Sequence, residues 1–114
     1  MKILKSYKLF FCFIILFINS CAYATSSPIE VEYRSKVVTY NLALAKQDYV
    51  SACSIAESLL SMDPSDTLSL LRLAYCSKML NNQYKKSVNS HMHTVSRSTK
   101  QDLEIIDFIE AIKN

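Results

Sequence analysis

The sequence predicts an all-α fold of about five antiparallel helices joined by short turns. Its 114 residues include two prolines and no glycine. Tight hairpins, phosphate-cradling loops and nucleophile elbows need glycine where φ is positive or the backbone approaches a ligand, so they are not expected. Apolar residues recur at spacings of three and four, which is typical of one helical face. These observations together favour helices over strands.

Residues 1–24 are predicted to form a secretory signal peptide. Lysines open the chain, an apolar segment follows at Leu9–Ile18, and the small-residue pattern before the domain ends at Ala24. This three-part layout predicts cleavage after Ala24 and a periplasmic or secreted protein. The apolar segment would span about 15 Å as a helix, about half of a bilayer core, which favours cleavage over a retained membrane anchor.

Lipidation is an alternative way of processing the same segment. Cys21 directly follows the small residue Ser20, and Ile18 precedes it by three positions. This pattern resembles bacterial lipoprotein signals, in which lipid is attached to the cysteine sulfur. Asn19 departs from that pattern, because the position is usually small or apolar. A lipoprotein anchored in the membrane through Cys21 is therefore the alternative localisation.

The charge of the remaining domain, residues 25–114, is balanced. The whole chain has 13 Lys and Arg against 10 Asp and Glu, and three of the lysines lie in residues 1–24. That leaves ten basic and ten acidic residues. Nucleic-acid binding needs a surplus of positive charge to neutralise phosphates, so no nucleic-acid partner is expected.

The first helix is expected over Val31–Lys46, where apolar residues share one face. A broad apolar stripe of this kind is typical of a helix packed against two neighbours. The stripe consists of Tyr33, Val37, Tyr40 and Leu44, widened by Val38, Leu42 and Ala45.

The second helix is expected to begin at Tyr49 with Asp48 as its N-cap. It should end at Asp63, because Pro64 disfavours a helical residue before it and cannot continue the helix itself. This segment has apolar residues on one side and serines on the other, as expected of a helix with one buried face.

Three further segments complete the helical pattern. Ser65 or Asp66 is expected to cap a third helix at Thr67–Leu80. Two asparagines, which tolerate turn geometry, separate it from a fourth helix predicted at Tyr84–Val95. The last helix follows a capping box formed by Ser98 with Gln101 or by Thr99 with Asp102, and its apolar residues are Leu103, Ile105, Ile106, Phe108, Ile109 and Ile112.

A shift of 35 residues superimposes one part of this pattern on the next. Tyr40 falls on Tyr75, and Tyr49 falls on Tyr84. The shift continues into the last helix, which gives two and a half helix-turn-helix units.

The segments that carry this period resemble the tetratricopeptide repeat, a unit of about 34 residues. "QDYVSA" supplies Asp48, Tyr49 and Ala52, and "SMDPSD" supplies Asp63 and Pro64. The chain departs from the family in lacking its glycines, and no Asp-Pro closes the second unit. The resemblance implies a tetratricopeptide-like domain at 25–114, a short superhelical stack, with a generic helical bundle as the alternative.

Members of this family hold a peptide or a partner helix in a concave groove, so the resemblance implies another protein as partner. Arg72 and Lys78 would then meet a carboxylate, and Tyr75 and Met79 an apolar side chain. The full lining implied by the match is Tyr40, Leu44, Leu68, Leu71, Arg72, Tyr75, Lys78 and Met79.

The implied function is that of an exported adaptor, assembly factor or chaperone of the bacterial envelope, similar in style to factors of pili or secretion machines. A lipid-anchored structural component of the envelope is the alternative. No cofactor is expected, and no spacing of serine, histidine and carboxylate residues predicts a catalytic site, although an enzyme of unrecognised type remains a third hypothesis. The oligomeric state is left open.

Cys53 and Cys76 are the two cysteines that follow the signal peptide region. In an oxidising compartment they would form a disulfide across a separation of 23 residues. Two free, buried cysteines are the other interpretation.

His91 and His93 form the only metal-like pattern in the chain. Two residues that are two positions apart on a helix point away from each other, so no metal site is predicted.

Between Asp66 and Asp102 the chain has no acidic residue. The six basic side chains of this stretch are either ordinary solvated groups, some of them paired with the last helix, or a patch for an acidic partner or anionic headgroups. They are Arg72, Lys78, Lys85, Lys86, Arg97 and Lys100.

Overall fold

The computed structural model describes residues 27–113, which form helices and connecting turns with no strand. The all-α prediction is therefore confirmed over this range. None of the described helices combines the length and the hydropathy that a membrane span requires. The predicted signal peptide, with Cys21 and Ala24, lies outside the described residues. The five helices are α1 (Pro28–Ala45), α2 (Tyr49–Met62), α3 (Thr67–Met79), α4 (Lys85–His91) and α5 (Lys100–Ile112).

Helix α1 begins earlier than predicted. Ser27 Oγ accepts a hydrogen bond from the amide of Glu30 at 3.1 Å, and Pro28 occupies the first helical position. Serine as a cap and proline in the first turn are both favourable, so the helix starts three residues before Val31. The chain divides inside α1 into two compact units, and the second begins at Tyr33. The packing described below concerns residues 33–113.

Three of the predicted N-caps are confirmed. Asp48 accepts the amide hydrogen of Ser51 at 3.2 Å, and the Asp66 side chain caps α3 in the same way. Thr99 Oγ1 accepts the amide hydrogen of Asp102 at 3.0 Å. Of the two candidates for each of the later caps, Asp66 rather than Ser65 caps α3, and Thr99 rather than Ser98 caps α5.

The turns after α1 and α3 adopt positive φ without glycine. Gln47 has φ 60°, Asn81 56° and Asn82 63°. In each turn two amides fold back onto carbonyls of the last helical turn, as in a Schellman motif. After α1 these bonds run from Gln47 N to Leu44 O and from Asp48 N to Ala43 O, at 2.9 and 2.8 Å.

Helix α4 is shorter than predicted, ending at His91 rather than Val95. Thr94 Oγ1 and its own amide both bond the His91 carbonyl at 3.0 Å, which closes the helix with a turn. The chain then runs back towards the start of α3, where the amide of Ser96 donates to Ser65 O at 2.9 Å. Val95 is buried there although it is not helical.

The core is centred on α3. Helices α2, α4 and α5 all approach it closely, and the contact with α2 is the most extensive. Small residues on α2, Ala52, Cys53 and Ala56, are fully buried and permit this close approach. Leu60, Leu70 and Leu73 belong to the same core cluster, and more than half of the buried residues in that cluster lie on α2 and α3.

The apolar stripes of α1 and α5 are only partly used. Tyr40 and Ala43 are buried on α1, but Val38 and Leu42 are 57% and 54% exposed. The prediction that Val38 and Leu42 pack against a second neighbour is therefore wrong for the described residues. On α5, Ile106 and Ile109 are buried, whereas Leu103 and Phe108 are about half exposed.

Side-chain hydrogen bonds join α1 to α3 and α3 to α5. Tyr33 OH donates to Asp66 Oδ2, 33 residues along the chain. Thr67 Oγ1 donates to Asp102 Oδ1 at 3.1 Å, across 35 residues. Further along α1, Tyr40 OH donates to Arg72 O at 2.7 Å. Because contacts advance together along α1 and α3, those two helices run in the same direction.

Candidate functional site

The outer face of α3 exposes several large apolar side chains. Leu68 is 44% exposed, and Tyr75 and Met79 are each 46% exposed. Their spacings of seven and four place them on one helical face. The opposite face of α3 is buried in the core. Exposed apolar side chains grouped in this way are typical of a contact surface.

A depression of about 320 Å³ lies beside this face, between α1, α3 and α5. We call it the groove. Five of its lining residues belong to the set implied by the family resemblance, while Phe108 does not. Leu68, Lys78 and Met79, also in that set, are exposed on α3 but do not line the depression. The groove is lined by Tyr40, Leu44, Leu71, Arg72, Tyr75 and Phe108.

Tyr40 forms part of the wall of the groove. Its side chain is 3% exposed, and its hydroxyl is held by the carbonyl of Arg72. Burial raises the pKa of Tyr40 to about 12, with the nearby charge of Arg72 acting in the opposite direction. Tyr40 is therefore a neutral, fixed part of the wall.

Arg72 is held by its neighbours. Its Nη1 donates to Tyr33 OH and to Ser69 Oγ, each at 3.2 Å. Both of those hydroxyls donate in turn to Asp66, the cap of α3. We call Tyr33, Asp66, Ser69 and Arg72 the α1–α3 network. It places the guanidinium close to a carboxylate of the same chain, which reduces the positive field that Arg72 presents to a partner.

Lys78 is the freer of the two predicted cations. It is exposed on the outer face of α3. Among residues 27–113 its ammonium group has no hydrogen-bond or ion-pair partner. Elsewhere in the basic stretch, Arg97 Nη2 donates to Met92 O at 2.8 Å. Asp102, at the start of α5, accepts hydrogen bonds from hydroxyl groups.

Phe108 is the groove residue that sequence reasoning missed. The pattern assigns it to the apolar face of α5, yet it is 55% exposed. It lies two positions after the buried Ile106, which is about 200° around the helix. That angle is the signal that could have separated Phe108 from the buried face.

Cys53 and Cys76 are joined by a disulfide whose Cα atoms are 5.6 Å apart. Both residues are fully buried, and the bond connects α2 to α3. The first of the two interpretations of these cysteines is therefore correct. The bond lies in the core, on the side of α3 away from its exposed face.

The two histidines lie at the end of α4. His91 is its last residue, and His93 lies in the turn that follows. The two histidines therefore do not share one helix, contrary to the prediction from the sequence. Over the described range, no three His, Cys, Asp or Glu side chains lie together as metal ligands would.

Comparison with models of known protein families, with curated proteins and with solved structures gave no match to this chain. Interpretation of the site therefore depends on its geometry. Three aromatic rings, two leucines and a fixed arginine can hold an apolar side chain by contact.

Proposed function

We propose that this chain is an exported, tetratricopeptide-like protein that binds a segment of another protein in the groove. It would work as an adaptor, assembly factor or chaperone of the bacterial envelope. The observation that carries the proposal is the grouping of half-exposed apolar side chains around one depression. Tyr75 and Phe108 lie in it, and Leu68 and Met79 extend the face along α3.

The hydrogen bonds between helices support a stack of repeated units. The bonds from α1 to α3 and from α3 to α5 connect residues 32 to 39 positions apart. A similar bond, from Ser87 Oγ to Glu57 Oε2, joins α4 to α2 across 30 residues. Separations near 34 residues are what stacked tetratricopeptide-like units would give.

The disulfide supports export. Disulfides persist in oxidising compartments such as the periplasm and are rare in the cytosol. The bond between Cys53 and Cys76 fits a destination of that kind. Together with the predicted signal peptide at 1–24, it favours a periplasmic or secreted protein. A lipoprotein anchored in the membrane through Cys21 is the alternative.

The partner segment should be mainly apolar. Tyr75 and Phe108 offer ring faces and edges to an apolar side chain. Lys78 lies one turn beyond Tyr75, so an acidic residue of the partner would pair with it. Arg72 contributes less to that pairing because the α1–α3 network already holds its guanidinium.

Site-specific photo-crosslinking tests docking in the groove. A photoreactive phenylalanine analogue at position 75 or 108 should form a crosslink to one discrete partner in cells that export the chain. The same analogue at Val50, which is 59% exposed and outside the groove, is the matched control. Crosslinks of equal yield from Val50, or none from the groove, would contradict the proposal.

Alanine variants give a second measurement on the same partner. Tyr75→Ala and Phe108→Ala remove exposed rings, so we expect each to weaken capture about tenfold or more, in the range of an interface hot spot. Val50→Ala should leave capture unchanged. Circular dichroism of the three variants should match, which separates lost docking from lost folding.

The intact mass of the exported protein tests how its N-terminus is processed. Cleavage after Ala24 gives a chain that begins at Thr25, whereas lipidation gives one that begins at Cys21 with acyl chains attached. A mass corresponding to either product excludes the other. A full-length mass in the envelope fraction would point to a retained N-terminal segment.

A further inference from the structure

Helix α1 is attached to the core by much less apolar surface than its neighbours. Two of its apolar residues are buried, Tyr40 and Ala43, whereas α2 buries five apolar residues and α3 four. Helix α5 also buries two, but its backbone lies close to α3, whereas that of α1 makes few close contacts with any other described helix. Helices α2 and α3 also approach closely and share the disulfide. Because apolar burial is the main stabilising term, α1 is the long helix that separates from α3 most easily.

Polar contacts add to this attachment. Tyr33 joins the α1–α3 network, and Tyr40 OH donates to Arg72 O at 2.7 Å. On the other side, Lys36 Nζ donates to Ser58 Oγ at 2.6 Å. A hydrogen bond of this kind contributes modestly, since both partners can bond water when the helix moves away.

The turn that follows α1 can serve as its hinge. All three residues of the turn, 46–48, are exposed, so none of their side chains anchors it in the core. Gln47 has φ 60° there, a conformation that glutamine holds only at some cost. The turn is therefore a place where the backbone can change direction without disrupting core packing.

We infer that residues 33–45 of α1 open and close as a unit about this turn, while α2 and α3 remain together. Tyr40 and Leu44 form one wall of the groove, so opening of α1 widens it. The inference rests on the proposed function only in taking the groove as a docking site. A partner that contacts both α1 and α3 selects the closed state, and its apparent affinity is lowered by the fraction of chains that are open.

Amide hydrogen exchange on the full oxidised chain tests this opening. We expect the amides of Asn41–Ala45 to exchange at least about 100-fold faster than those of Leu70–Ser77. Tyr40→Phe should raise the α1 and α3 rates by a similar factor of about five, since it removes a hydrogen bond that only the closed state makes. Removing the disulfide in C53A/C76A should raise the α3 rates and leave the α1 rates unchanged, because α2 and α3 stay together when α1 opens. Tyr84→Phe is the control for Tyr40→Phe, because it makes the same change at a partly buried tyrosine whose hydroxyl has no partner among the described residues.

Two results would overturn the inference. One is equal exchange in α1 and α3, and the other is an equal acceleration of both helices in C53A/C76A, because either means that α1 opens only when the whole domain unfolds. These rates are measured without a partner. A negative crosslinking result would therefore reject docking in the groove and leave the motion of α1 standing, and the reverse also holds.

Discussion

Asp66 and Asp102 serve comparable purposes at the N-terminal ends of α3 and α5. Asp66 caps its own helix and also accepts from Tyr33 of α1, while Asp102 accepts from Thr67 of α3 and from Ser96. Each carboxylate thus links its helix to the helix two places earlier in the chain. Over the described residues no buried side-chain nitrogen or oxygen lacks a hydrogen-bond partner, so these links are made without stranding a polar group.

The first prediction concerns Tyr40 at alkaline pH. Its pKa is raised from 10.0 to about 12 by burial, so the folded chain keeps a proton that the unfolded chain loses. This contribution to stability is present below pH 10 and is lost between pH 10 and about 12, at up to about 1.4 kcal/mol for each pH unit. Urea unfolding at pH 9 and pH 11 measures it.

In Tyr40→Phe that alkaline fall should be shallower. The variant should also be about 1 kcal/mol less stable at neutral pH, since the bond to Arg72 O is missing. Tyr84→Phe is the control, because the hydroxyl of Tyr84 has no partner among the described residues. If Tyr40→Phe and the wild type lose stability in parallel above pH 10, the phenol of Tyr40 is not buried as described.

The second prediction concerns Asp102 in acid. The hydrogen bond from Ser96, with others from Thr99 and Thr67, holds the pKa of Asp102 below its usual value of 3.8. A lowered pKa means that the contribution is present above about pH 3.8 and is lost as pH falls towards the folded-state value. Asp102→Asn should therefore be less stable at pH 6 and should show a weaker loss of stability between pH 5 and pH 2.

Asp107→Asn is the control for this experiment, because Asp107 is exposed on the same helix and its carboxylate has no hydrogen-bond partner among the described residues. Thermal melts at several pH values compare the two variants with the wild type. Identical acid profiles for Asp102→Asn and Asp107→Asn would mean that the bonds to Asp102 contribute no stability.

At the scale of helices, caps and turn residues could be predicted from the sequence more reliably than buried faces. Asp48, Asp66 and Thr99 act locally, and a cap needs only the correct residue before a helix. Whether Val38 is buried depends instead on a distant segment covering that side of α1, and in the structure Val38 is exposed. Periodicity identifies apolar residues, but it does not say how many sides of a helix meet protein.

The boundaries of α1 and α4 were harder for a related reason. Ser27 as a cap lies before the apolar pattern begins, and the end of α4 depends on Thr94 and on a bond from Ser96 to Ser65. The last of these is a contact between distant parts of the chain. No local pattern in residues 84–95 contains it.

The third prediction concerns the bond between α2 and α3. The Cys53–Cys76 disulfide closes a separation of 23 residues, which should stabilise the domain by about 3 kcal/mol in the chain-entropy model. The double variant C53A/C76A should lose about that amount and keep its helical content. Alanine suits both positions because each is fully buried and close to the facing helix.

Urea unfolding of the wild type with and without a reducing agent gives the same quantity by a second route. The reducing agent should have no effect on C53A/C76A. Equal midpoints for the oxidised and reduced wild type would contradict the prediction.

For the molecule as a whole, the resemblance predicted which residues line the groove better than it predicted the hydrogen bonds between them. It implied five of the six groove residues, because helix faces follow from a 35-residue register. It did not predict that Arg72 is held by Tyr33 and Ser69, since such a network depends on three segments meeting in space. Phe108 was missed because α5 meets protein on a narrower face than its apolar content suggests.

The fourth prediction follows from the different surroundings of the two cations. Lys78→Glu reverses an exposed charge that has no partner among the described residues, so it should leave stability within about 0.5 kcal/mol of the wild type. It should weaken capture of an acidic partner segment, and the loss should diminish as salt is raised. Capture assays at two salt concentrations measure this.

Arg72→Glu would not be an equivalent test, because it places a second carboxylate beside Asp66 and breaks the bonds to Tyr33 and Ser69. Lys86→Glu, another exposed lysine on a different helix, is the suitable control. If Lys78→Glu and Lys86→Glu lower capture equally, the groove end of α3 has no special part in recognition.

The disulfide also changes how the chain responds to mechanical load. If the chain is pulled from its two ends, tension passes from α2 to α3 through the bond between Cys53 and Cys76. The 23-residue stretch between them, which includes the Asp63-Pro64 turn, then carries no tension. Fully extended, that stretch would measure about 80 Å. An oxidised molecule should therefore lengthen by about 80 Å less than a reduced one when it is pulled open. Helices α2 and α3 stay joined to each other through the disulfide under force.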